Sequence, residues 1–379
     1  MKILQLVCYF YPHIGGIEQV ARDLGDAFEK AGISRAEQHV LCFRHDKGKD
    51  SISEVDGMRV ARAACFAKVS SQSLSFSFGK LLRIEMKEFA PDLVIFHHPN
   101  PFMAHFLLKE LKKYPQCKLI VVWHLDIFKQ KILKLFFKKQ SKRLLERAQK
   151  VVATSPNYVD GSAELSSVRE KCVVVPNCAD TSQLVLSAED EARAAEIRRE
   201  NEGKTLCFAL GRHVSYKGMT HLVGASAFLD DTYAVCIGGV GPLTDKLKKQ
   251  AKGDGKVKFL GKLSDRDKKA YLSACDVFCF PSITKNEAFG IALAEGMYFA
   301  HPAVTFTIPG SGVNYVSVGG ETGIEVQNGD DKAFAEAIKT LSSNQELREQ
   351  YGKNARERVL RLFTKEIFCE NVAALLQSI

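Results

Sequence analysis

Glu287 and Glu295 stand eight residues apart, just after the strand-like run Val277–Phe280 and Pro281. The intervening segment (ITKNEAFGIALAE) reads as a turn opening into a helix, with Glu287 expected at the helix start. On one helix eight residues advance ~80° beyond two turns, which would put both carboxylates on roughly one side, ~12 Å apart. That is too wide for a pair of glycosidase carboxylates. It suits two hydroxyl-accepting contacts at either end of an extended ligand. Glu295 is flanked by Leu293, Ala294, Gly296 and Met297, an apolar setting for a charge. The plainer alternative is a first-turn glutamate favouring the helix dipole and one exposed glutamate.

Arg212 follows the strand-like run Thr205–Leu210, and Lys217 comes five residues later at an expected helix start. A planar guanidinium, a point-charge ammonium and free helix amides can together hold a diphosphate. Two solvated surface cations would look the same in sequence. Gly15 and Gly16 lie between the first strand-like run, residues 2–8, and a helical pattern. Glycines there let backbone approach a ligand, or simply make a strand-to-helix turn. The segment is not a G-x-G-x-x-G fingerprint. His97 and His98 end the run that begins at Leu93, and adjacent strand residues point to opposite faces, so they make no simple metal pair.

The elements that carry these groups alternate. Apolar runs expected as strands are 2–8, 38–43, 93–96, 119–123, 151–154, 171–176, 205–210, 233–237, 256–260, 277–280, 303–306 and 323–326, with helical patterns between most of them. Continuous apolar strands spaced by helices predict parallel sheets covered on both faces. At 379 residues the chain has room for two such domains. The charged stretch from 179 to 203 reads as a linker and surface helix. The expected division is 1–180, 181–361 and a terminal helix over 362–379 that returns to the first domain.

Composition excludes several classes. Hydrophobic residues are 46% and charged residues 26%, which rules out disorder as the main state. No apolar run approaches ~18 residues, so no membrane-spanning helix is expected. The first residues read as a buried strand, not a signal peptide. The eleven cysteines include no C-x-x-C pair and most sit singly in apolar runs, as in reduced cytosolic proteins. Cys275 and Cys279 lack ligand-spaced partners and read as core. Asp230-Asp231 and Asp330-Asp331 read as turns, and no Asp-x-Asp metal site is found.

Jointly these motifs resemble retaining glycosyltransferases of family 4, which have the GT-B fold. Glu287-x7-Glu295 with Phe289-Gly290 resembles their E-x7-E signature. Gly15-Gly16-x-Glu18, Gly211-Arg212 with Lys217-Gly218, residues 122–127, 153–158 and 175–177 match in order and spacing, over essentially the whole chain. The resemblance implies two Rossmann-like domains facing across a cleft, the first binding acceptor and the second binding nucleotide sugar. Arg212 and Lys217 would bind the donor diphosphate and Glu295 the ribose hydroxyls. Glu287, with the Phe289, Gly290 and Ile291 backbone, would hold the transferred sugar. Gly15 and Gly16 would approach diphosphate and acceptor, and His124 would touch the donor sugar near its anomeric carbon. His98, Asn100 and Asp126 are acceptor candidates. Transfer would proceed with retention, needing no cofactor and no metal. The donor sugar expected is mannose from GDP-mannose, with UDP-hexoses open. The acceptor would be a glycan or polyprenyl-linked acceptor in surface polysaccharide synthesis. The segment 310–315 also resembles family mannosyltransferases, but carries Gly310 where Glu is commoner and receives no role. A GT-B sugar-nucleotide epimerase and a non-catalytic sugar-binding protein are the rival readings.

The formal charge of +9 is unevenly placed: residues 1–180 hold 28 basic against 19 acidic residues, and the remainder 25 of each. Residues 128–147 (FKQKILKLFFKKQSKRLLER) contain eight basic residues and one acid. Lys129, Lys131, Lys134, Lys138 and Lys139 with Phe137 describe a basic amphipathic helix suited to an anionic bilayer, so peripheral association with the inner face of the plasma membrane is expected. A core-facing helix with a basic solvent face is the alternative. Nucleic acid fits less well, because no aromatic platform accompanies the basic run.

Overall fold

The computed structural model describes residues 1–13, 15–69, 72–127 and 131–379, with the side chains of 69 and 131–136 not described. Lys129 therefore lies outside the described residues, as do the Lys131 and Lys134 side chains. The chain divides into two compact units: Met1–Val175 with Phe368–Ile379, and Pro176–Ile367.

The first unit is built on β1 (Ile3–Leu6), β2 (Gln38–Phe43), β3 (Ser51–Val55), β4 (Met58–Ala63), the small hairpin β5 (Ala67–Val69) and β6 (Gln72–Leu74), β7 (Leu93–His98), β8 (Lys118–Trp123), β9 (Lys150–Ala153) and β10 (Cys172–Val174). Its main sheet runs β10-β9-β8-β7-β1-β2-β4-β3. Every neighbour is parallel except β3, which returns antiparallel on β4. The central strands β1, β7 and β8 are buried along almost their whole length and are mostly apolar, as in a parallel sheet covered on both faces. Sequence reasoning expects no strand between 44 and 92, yet four form there. The signal for β3 and β4 is Asp56-Gly57, both at positive φ (51° and 77°), the two-residue turn that closes their tight hairpin.

The second unit carries β11 (Thr205–Leu210), β12 (Tyr233–Gly238), β13 (Val257–Gly261), β14 (Val277–Phe280), β15 (Ala303–Phe306) and β16 (Gly323–Val326). Its sheet is wholly parallel in the order β13-β12-β11-β14-β15-β16. β11 is the switch strand: the chain moves outward to β12 on one side and resumes at β14 on the other. Open α/β sheets bind ligands beyond the carboxyl ends of the strands at such a point. Gly296 lets the helix Ile291–Tyr298 lie on β14, since a Cβ there would come within 2.5 Å of the Phe278 ring. The linker region contains a helix, Ala188–Glu200, capped by Ser187. No disulfide joins the described cysteines, and all but Cys8, Cys65 and Cys172 are buried.

Candidate functional site

The carboxyl ends of β11 and β14 are laced together by backbone. After β11 the chain passes Gly211 and Arg212 into the short turn Ser215–Lys217. The Ile283 amide, just past β14, donates to the Tyr216 carbonyl at 2.9 Å. Gly218 then adopts φ +62°, and a Cβ there would sit 1.9 Å from the Pro281 carbonyl oxygen, so only glycine fits. It caps the helix Met219–Ser226. The neighbouring loop after β12 makes the same demand: a Cβ on Gly239 would lie 2.0 Å from the Gly211 carbonyl oxygen.

This lacing sets Lys217 against Glu287. The Lys217 ammonium lies 2.5 Å from a Glu287 carboxylate oxygen and 5.1 Å from the centre of the Phe280 ring. Burial alone depresses the Lys217 pKa, but the Glu287 carboxylate outweighs it and the net shift is upward. The ammonium therefore stays charged, with three donors for Glu287 and for an anion. The Ser282 hydroxyl donates to the same carboxylate at 3.3 Å. The Ser311 hydroxyl donates to the Glu287 carbonyl, and Gly312 packs so closely that a Cβ would stand 2.0 Å from the Ala288 carbonyl oxygen. Residues 310–315, which had no assigned role, thus buttress the loop that carries Glu287.

One expectation is corrected here. Glu287 and Glu295 do not share a helix. Glu287 sits in a turn, its amide donating to the Thr284 carbonyl at 3.0 Å. Gly290 then takes φ +100° and caps the helix Ile291–Tyr298, which holds Glu295. A left-handed residue cannot continue a right-handed helix, so the one-face geometry fails. The helix instead offers its first free amides, from Ile291 onward, beside the Glu287 loop. Phe289 is buried, its ring edge-on to Phe363. Glu295 is also not partnerless in its apolar setting, for Lys268 donates to it at 3.0 Å. Arg212 is exposed at the end of β11. Among the expected residues, Lys217, Glu287 and Gly290 share one loop cluster, whereas Glu295 is held from the neighbouring helix Asp265–Ala274.

In the first unit Gly15 caps the helix Gly16–Lys30. A Cβ on Gly15 would meet a Glu18 carboxylate oxygen at 2.4 Å, whereas one on Gly16 meets nothing within 4 Å. Burial raises the pKa of Glu18. His124 lies one residue past β8, its amide donating to the His98 carbonyl at 3.1 Å. Its ring is hydrogen-bonded to His97 at 2.9 Å, and burial pushes its pKa down to about 4. The acceptor candidates are buried and hold local structure. The His98 ring stacks on Trp123 at 3.6 Å, and burial lowers its pKa to about 3. Asn100 caps the helix Pro101–Leu111 by accepting from the Met103 amide at 3.1 Å. Asp126 accepts from the Trp123 indole at 2.9 Å and the Ser162 hydroxyl at 2.7 Å, while its amide donates to the Tyr158 hydroxyl at 2.9 Å. Asp330 and Asp230 act in turns and caps as expected, Asp330 accepting from the Ala333 amide.

Sequence reasoning missed Ser282, Ser311 and Lys268 as parts of these arrangements, and none of the three carries a local signal. His97 was noted at the end of its apolar run, but its partner His124, 27 positions away, was not foreseen. Among the described residues no group of three or more His, Cys, Asp or Glu is placed to hold a metal ion. None of their helices is long and apolar enough to cross a membrane. In the basic helix Lys131–Arg147, Lys138 and Lys139 are exposed and Phe137 is half-buried.

The model for Glycosyltransferase Family 4 matches residues 14–183, and that for Glycosyl transferases group 1 matches residues 190–358. O-antigen chain mannosyltransferase C of Escherichia coli is 31% identical over 369 residues, covering 97% of this chain and 95% of that protein. D-rhamnosyltransferase WbpZ of Pseudomonas aeruginosa is 34% identical, covering 96% and 92%. Among solved structures, sucrose-phosphate synthase from Thermosynechococcus elongatus superposes with a TM-score of 0.80 at 18% identity over 99% of this chain and 98% of that one. Anabaena Alr3699/HepE in complex with UDP and glucose gives 0.78 at 18% identity over the whole of both chains. The two Rossmann-like parallel sheets are those of the GT-B fold, and by sequence the chain belongs to glycosyltransferase family 4.

Proposed function

We propose that this glycosyltransferase moves mannose from GDP-mannose to a glycan acceptor, polyprenyl-linked, in surface polysaccharide assembly. The names of two relatives matched over nearly their whole length, an O-antigen chain mannosyltransferase and a D-rhamnosyltransferase, support a hexosyl donor of this kind. The observation that carries the reading is the Lys217–Glu287 pair at the switch between β11 and β14, beside the free amides at Ile291. Breaking the anomeric C–O bond leaves negative charge on the departing phosphate. In this reading Arg212, Lys217 and those amides meet that charge and lower the barrier without a metal. Glu287 accepts hydroxyls of the transferred sugar, and Glu295, held by Lys268, accepts those of the ribose. Gly15 and Gly16 admit the diphosphate and acceptor, and His124 contacts the sugar. The acceptor attacks from the face the phosphate leaves, the phosphate takes its proton, and configuration is retained. The carboxylates bind and do not act as nucleophiles. The helix Lys131–Arg147 docks the enzyme on an anionic bilayer, where a lipid-linked acceptor resides.

A donor panel tests the proposal. Purified protein is incubated with GDP-mannose, UDP-glucose and UDP-galactose, and slow nucleotide release and thermal stabilisation are measured. GDP-mannose should give the largest response. A larger response to a UDP-sugar overturns the donor assignment, and silence towards every nucleotide sugar overturns the enzyme reading.

A further inference from the structure

Three buried side chains of the first unit form one hydrogen-bonded line, two from the adjacent strands β1 and β7 and one from just past β8. Gln5 Nε2 donates to the Ala21 carbonyl at 3.1 Å. Gln5 Oε1 lies 3.1 Å from His97 Nε2, and His97 Nδ1 lies 2.9 Å from His124 Nε2. The two imidazoles are within 10° of parallel. Gln5 is 0%, His97 3% and His124 6% exposed.

The direction of this line follows from its ends. The Ala21 carbonyl only accepts, so Gln5 must turn its amide N–H₂ towards it and its Oε1 towards His97. Oε1 only accepts, so His97 carries its proton on Nε2. Reversing the amide would set oxygen against oxygen at Ala21 in a buried site, where no water replaces the lost hydrogen bond. A neutral His97 then has its lone pair on Nδ1, which must accept from His124. His124 consequently carries its proton on Nε2 and keeps a lone pair on Nδ1. We propose that Gln5 and His97 are positioning residues that lock His124 as its Nε2–H tautomer, so that His124 accepts a hydrogen bond from a substrate hydroxyl and cannot donate one through Nδ1. The role towards substrate rests on the assignment of His124 to the transferred sugar. The lock itself does not.

Nitrogen-15 NMR of the histidine side chains tests it, with His124→Asn used to assign the resonance. At pH 7 the wild-type His124 should show a protonated Nε2 and an unprotonated Nδ1. Gln5→Met removes the directing acceptor, and His124 should then populate both tautomers, with kcat lowered about tenfold and KM for donor little changed. His97→Asn keeps an acceptor near the Nδ1 position and should retain more activity than His97→Phe. A wild-type His124 protonated on Nδ1, or Gln5→Met with unchanged tautomer and kinetics, overturns the proposal. If the wild type ignores every donor while the Nε2–H spectrum is found, the sugar assignment falls and the lock stands.

Discussion

The candidate site residues of the two units are held in different ways. The first holds neutral groups in line: Gln5, His97 and His124, with His98 stacked on Trp123. The second holds ion pairs, Lys217 with Glu287 and Lys268 with Glu295. A neutral line fixes which atom carries each proton, so it supplies direction and selectivity. An ion pair supplies charge that can be turned towards another anion, which is what a departing phosphate requires. The glycines divide likewise. Those of the second unit sit where loops meet backbone to backbone, at Gly218, Gly239 and Gly312, so that the charged groups are held on rigid loops.

The sharpest break of this contrast removes the cation. Lys217→Ala should lower transfer on the order of 10³-fold, against about tenfold for Gln5→Met, because one deletes the charge proposed to meet the leaving group and the other only frees an orientation. Initial rates of both variants, with circular dichroism to check folding, decide it; a reversed order would dissolve the distinction.

Acidification acts next. His98 and His124 have folded pKa values of about 3 and about 4, depressed by burial from an ordinary 6.5. Their unfolded forms bind protons first as pH falls, so the stability they contribute is complete above about 6.5 and is lost from there down through the folded values. Each loses about 2 kcal/mol by pH 5. His97 in the first unit is lowered as well, while in the second unit burial lowers His301 to about 4 and also lowers His213. With three such groups against two, hydrogen exchange at pH 7 and pH 5 should show the first unit weakening more. Equal weakening of both units would count against the contrast.

The smallest effect concerns the surface. The entire basic surplus lies in residues 1–180. Lys138→Gln with Lys139→Gln, both exposed in the wild type, should weaken binding to phosphatidylserine-containing vesicles about tenfold and leave neutral vesicles unaffected. Co-sedimentation reads this out, and wild-type protein that ignores anionic vesicles would remove bilayer docking from the account.

Much of the fold was legible along the chain. The runs at 38–43, 205–210, 277–280, 303–306 and 323–326 are strands at those bounds; 277–280 is apolar and buried throughout, and the others keep enough apolar residues in an extended run to be read as strands. The edge hairpin at β3 and β4 escaped because one face meets water and its residues mix polar with apolar; only Asp56-Gly57 betrays it. At the site, spacing was a poor guide where a single dihedral intervened. The interval between Glu287 and Glu295 reads as two helical turns, yet Gly290 at φ +100° places one in a turn and the other on a helix.

Strand identity, the glycines that loops require, the charge asymmetry and family membership are all written in residues near one another along the chain, since each depends on local conformation or on composition. The partners of the key side chains are not. Gln5 and His97 are 92 positions apart and Lys268 and Glu295 are 27 apart. They meet because the sheet order sets β1, β7 and β8 side by side and the helices return along them. Burial then removes water as an alternative partner, leaving each donor the single acceptor that the packing supplies.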